Sequence, residues 1–169
     1  KDTAWDYLSK KLNINKYWIS TWLRLLAKQR WLNEDRDTLI ALWREVWEKY
    51  WDDFLAKNII ESISDKVLII VWTRQVWQLE YLFNNTNCFS IWLLSDKEIR
   101  YNRIKTRFND WEYSYQDFLN QEYKDNFWWL QKVDLCTQMC EHKINNDWNI
   151  NDLENHLDTL IKKIKFLWN

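Results

Sequence analysis

Apolar positions along the chain switch between two spacings, and the switches mark out its elements. Over residues 2–12, Ala4, Tyr7, Leu8 and Leu12 fall at helical intervals with lysines between them, which predicts a helix with one inward face starting almost at Lys1. The same spacing predicts helices over about 23–30, over 38–49 with Leu39, Leu42 and Val46 inward, and over 53–63 with Phe54, Ile59, Ile60 and Ile63 inward. Further helices are expected over 75–84, 96–107, 117–124 and 130–140, and an amphipathic helix over 151–166 closes the pattern. Short stretches between them read as strands. Val67-Leu68-Ile69-Ile70-Val71 is a continuous, largely β-branched run bounded by charge, too short for a buried helix, and predicts a central parallel strand. Residues 16–20, 88–94 and 143–145 predict three more strands, while 109–114 breaks the periodicity. Strands alternating with helices imply an α/β domain with helices on both faces of a mainly parallel sheet. No repeat, low-complexity segment or linker divides the pattern, so a single domain over residues 1–169 is expected.

Composition adds an anomaly to this picture. The chain has no Gly, no Pro and 15 Trp, where average usage supplies about 7% Gly and about 5% Pro. Trp51 in Tyr50-Trp51-Asp52-Asp53 and Trp148 in Asn146-Asp147-Trp148-Asn149 stand where a turn residue is expected, and Asp-Gly is the natural sequence for such a turn. The pattern implies that many tryptophans occupy glycine positions, through a misread reassigned stop codon or deliberate recoding. The Asn, Lys and Ile richness suits an AT-rich gene. The plainer alternative is a chain that is truly rich in tryptophan.

Charge narrows the function classes. With 24 basic against 25 acidic side chains and 47% hydrophobic residues, the balance fits one soluble globular domain and recruits no nucleic acid. No apolar run reaches bilayer length, and Lys1-Asp2-Thr3-Ala4 lacks the grading of a signal peptide, so a cytoplasmic protein without a membrane partner is expected. Cys88, Cys136 and Cys140 are odd in number and read as reduced thiols. Cys136, Cys140 and His142 lack a fourth ligand nearby, so no metal site is expected there, and His156 has no partnering motif.

The candidate chemistry is cationic. Arg74 follows the strongest strand, and residues at the carboxyl end of a parallel strand face a ligand crevice. Arg100, Arg103 and Arg107 fall at i, i+3 and i+7 and share one helix face.

Several segments also match one kinase group, in order, from Lys1 to about Lys165. Lys1-Asp2-Thr3-Ala4-Trp5-Asp6-Tyr7-Leu8 resembles the end of a Walker A loop of the Gly-Lys-Asp-Thr kind, as in phage-type deoxynucleoside monophosphate kinases. Ile19-Ser20-Thr21-Trp22 with Arg24 resembles their Ser-Thr-Gly acceptor segment, with a shortened spacing to the arginine. Val71-Trp72-Thr73-Arg74 resembles their Asp-Gly-x-Arg segment, with Val71 in place of the acid. Residues 99–107, reading Ile-Arg-Tyr-Asn-Arg-Ile-Lys-Thr-Arg, resemble the helix entering the lid. Asn145-Asn146-Asp147-Trp148 resembles the Asn-Asn-Asp-Gly turn beside the adenine pocket of dephospho-coenzyme A kinases and adenylate kinase relatives.

Resemblance to P-loop nucleoside monophosphate kinases implies a three-layer P-loop NTPase fold with a small helical lid over about 108–127, entered after its first strand and most of its P-loop. It implies phosphoryl transfer from ATP, with Mg²⁺, to a nucleotide-type acceptor, a nucleoside monophosphate or dephospho-coenzyme A. On that match Lys1, Asp2 and Thr3 bind the cofactor, while Arg24, Arg74 and Arg100 bind substrate. Lys1, Arg74, Arg103 and Arg107 act in catalysis. The valine at position 71 motivates a second reading, a degenerate ATP-binding or regulatory protein that does not turn over.

Overall fold

The computed structural model describes residues 2–50, 53–108, 112–127 and 132–167. Lys1, the Trp51-Asp52 turn, residues 109–111 of the expected lid and the start of the helix expected from 130 lie outside the described residues. Contacts divide the chain into two compact units, Asp2–Cys88 and Phe89–Asn169.

The first unit runs α1 (Asp2–Leu12), β1 (Lys16–Trp18), α2 (Thr21–Gln29), α3 (Arg36–Tyr50), α4 (Phe54–Ser62), β2 (Ile69–Val71) and α5 (Val76–Asn85). β1 and β2 pair in parallel, with Tyr17 opposite Ile70 and Trp18 opposite Val71. The ladder is extended by Ile69 N–H to Asn15 O at 2.9 Å and by Ile19 N–H to Val71 O at 3.1 Å. α1 packs on both strands of this pair. The core is built from helix faces: Leu23 and Ala27 of α2, Leu42 and Val46 of α3, Leu55 and Ile59 of α4 and Leu82 of α5 are buried together. Trp22 meets Phe54 edge-on at 5.0 Å, and Tyr50 stacks on the same ring at 4.4 Å.

Two helices of this unit end in the same backbone motif. After α1, Asn13 has φ 55° and Ile14 N–H bonds Ser9 O at 3.0 Å. After α2, Trp31 has φ 58°, its N–H bonds Lys28 O at 3.1 Å, and Leu32 N–H bonds Ala27 O at 2.9 Å. This is the Schellman closure, whose left-handed residue is usually Gly and sometimes Asn. Asn13 conforms, whereas Trp31 departs from it.

The second unit runs β3 (Ile91–Leu94), α6 (Lys97–Phe108), α7 (Tyr115–Phe127), α8 (Val133–Met139), β4 (His142–Asn145) and α9 (Ile150–Leu167). β3 and β4 are parallel, with Ile91 opposite His142 and Leu94 opposite Asn145. α9 carries the inward stripe Leu153, Leu157, Leu160, Ile161 and Ile164, all buried, as the period of its apolar positions requires. Phe118 of α7, Cys136 of α8 and Ile144 of β4 are buried too. Local polar chemistry sets two helix starts. Ser114 and Asp117 form a reciprocal capping box before α7, and the Asn149 side chain accepts from Asn151 and Asp152 N–H before α9.

This architecture corrects the expectation of a three-layer P-loop NTPase fold built on a mainly parallel sheet. Among the described residues there are nine helices and four strands, and the strands form two parallel pairs rather than one sheet. The reason lies in what an apolar run measures. Burial pressure marks residues 67–71, but a ladder extends only as far as a partner does, and β1 offers three residues before Ser20 turns the chain into α2. The strand is therefore Ile69–Val71, with Val67 42% exposed. Likewise the run 88–94 becomes strand only over Ile91–Leu94, opposite the four residues of β4. No described helix is long and apolar enough to cross a membrane.

Candidate functional site

In the first unit, two of the expected site residues, Asp2 and Arg74, meet one indole. Asp2 and Thr3 lie in the first turn of α1, where main-chain N–H groups lack intrahelical acceptors. Val71 ends β2 with only 2% exposure, and the chain then turns through Trp72, whose φ is 72°. The Trp72 Nε1–H donates to Asp2 Oδ1 at 3.3 Å, and the Arg74 guanidinium carbon sits 4.6 Å from the Trp72 ring centre. One side chain thus joins the start of α1 to the cation that follows β2. Gln75, next in sequence, is buried, and its Oε1 has no hydrogen-bond partner among the described residues.

A phosphate would find helix-start amides and a guanidinium here, the two donor types that hold such anions. Mg²⁺ fits as well. Asp2 offers a carboxylate, and one or two carboxylates with phosphate oxygens and water form the donor set this ion takes. The buried Val71 side chain supplies no oxygen at the strand end. Arg24 is held on α2 by Glu34 at 3.4 Å, which also pairs with Lys28 at 3.4 Å.

In the second unit the three arginines of α6 separate into three environments. Arg100 reaches α7, bonding Glu122 Oε2 at 2.7 Å, with its guanidinium carbon 5.8 Å from the Phe118 ring centre. Arg103 reaches the turn after β4, donating to Asn146 O at 2.6 Å and Trp148 O at 3.0 Å. Arg107 is exposed and has no hydrogen-bond or ion-pair partner among the described residues. It lines an open cleft of about 560 Å³ with Ile99, Asn102, Arg103 and Thr106. Helical spacing put three cations on one face; neighbours on α7 and in the turn then claimed two of them.

Asp147 is a residue whose part the sequence did not reveal. Its Oδ1 accepts the Asp96 N–H at 2.7 Å, and its own N–H donates to Asn145 Oδ1 at 3.0 Å. It thereby ties the carboxyl end of β3 to that of β4. The Asp96 N–H, helped by Asn145 and the nearby Arg103, holds the Asp147 carboxyl below the usual carboxylate range. A signal was present in Asn145-Asn146-Asp147, since such side chains cap turns, but nothing local names Asp96 as the partner.

No protein-family model matches this chain, and no curated protein matches it.

Proposed function

We propose that this chain belongs to a cytoplasmic enzyme that transfers a phosphoryl group from ATP to a nucleotide-type acceptor. The reading rests on one observation: Asp2 at the start of α1 and Arg74 after β2 meet across the Trp72 indole. A helix start and a cation beyond the carboxyl end of a parallel strand are a recurrent setting for a bound polyphosphate. On this reading the amides of the first turn, with Lys1 and Thr3, hold phosphate oxygens, and Asp2 contributes to the Mg²⁺ site. Arg74 stabilises the charge that spreads over the transferred group. In the transfer, the bond between the γ-phosphorus and the ADP oxygen breaks as an acceptor oxygen bonds to that phosphorus. Arg107, with Asn102 and Thr106 beside it, offers a second anion contact in the cleft on α6.

The test is transfer from γ-labelled ATP to a panel of nucleoside monophosphates and dephospho-coenzyme A by the natural protein. Labelled product with one acceptor is expected, with Arg74→Ala reducing the rate at least tenfold. A second reading, a non-catalytic ATP-binding or regulatory protein, is favoured by Val71, which is buried where an acid would serve Mg²⁺. ATP binding with no transfer to any acceptor would select it.

A further inference from the structure

We draw no further inference here: the strongest candidate, the buried side-chain pair Gln75 and Gln78 at the start of α5, belongs to the site already described, and nothing in the structure shows what ligand the unpartnered Gln75 Oε1 would meet.

Discussion

Arg103 and Asp147 secure the same turn from two elements: the guanidinium bonds the carbonyls of Asn146 and Trp148 on either side of Asp147, while the Asp147 carboxylate reaches back to Asp96 N–H. Removing either should loosen the turn, but in different ways. Arg103→Ala strips a charged donor from two carbonyls, and hydrogen bonds to charged groups are worth about 1.5–3 kcal/mol. A loss of stability in that range is expected from urea denaturation, with Arg103→Lys recovering part of it through a single contact. An unchanged midpoint in Arg103→Ala would show that the two bonds contribute nothing.

The Asp147 contribution should instead appear as a dependence on pH. Its carboxyl is held below the usual range, chiefly by the Asp96 N–H, so the folded state favours the ionised form more than the unfolded chain does. The stabilisation is then complete above the unfolded value, roughly pH 4, and disappears as pH falls through the lower folded value. Thermal midpoints of the natural chain and Asp147→Asn should differ at pH 6 and converge in acid. A constant gap from pH 6 down to strong acid would show that the carboxylate charge is not what holds the turn.

How far the sequence revealed all this depends on whether the governing interaction is local. The helix stripes were legible: Leu42 and Val46, or Ile59, were expected inward from spacing alone and are buried. The sheet was not, because pairing is decided by where partners end, and nothing within 67–71 says that β1 stops at Trp18. The candidate site shows the same division. Arg74 was expected after a parallel strand and follows β2, whereas Trp72 entered only as part of the segment Val71-Trp72-Thr73-Arg74. That Trp72 reaches Asp2, a residue far away in sequence, is a tertiary fact with no local signature. The separate partners of Arg100 and Arg103, on α7 and in the turn after β4, are of the same kind.

The thiols should differ sharply in reactivity. Burial pushes Cys136 up to about 12 and also raises Cys140, whereas Cys88 is half-buried. Since the thiolate is the reacting form, a neutral alkylating reagent at pH 8 should label Cys88 first in the folded protein and reach Cys136 and Cys140 only after denaturation. Peptide mapping after a short pulse checks this. Early labelling of Cys136 would mean that α8 opens readily from its unit.

Leu157 has no exposed surface, at the middle of the inward stripe of α9, while Ile150 at the start of the same helix is 53% exposed. Leu157→Ala should cost about 2–5 kcal/mol, because a cavity forms where the surrounding stripe cannot collapse. Ile150→Ala should stay within about 0.5 kcal/mol, as exposed substitutions do. Equal costs for the two, measured by denaturant unfolding, would contradict the face assigned to α9.

Of the described non-glycine residues with positive φ, Asn13 is of a type that tolerates the left-handed region, and the other two are Trp31 and Trp72. Chance rarely places so bulky a residue at both, in a chain with no glycine at all. Glycine would meet the backbone demand at each, and the Schellman bonds that close α2 around Trp31 would be unaffected, because they use main-chain groups only. Peptides from the natural protein that span positions 31 and 72 should therefore have the masses expected for glycine. Tryptophan masses at both positions would show that the chain truly carries the strain.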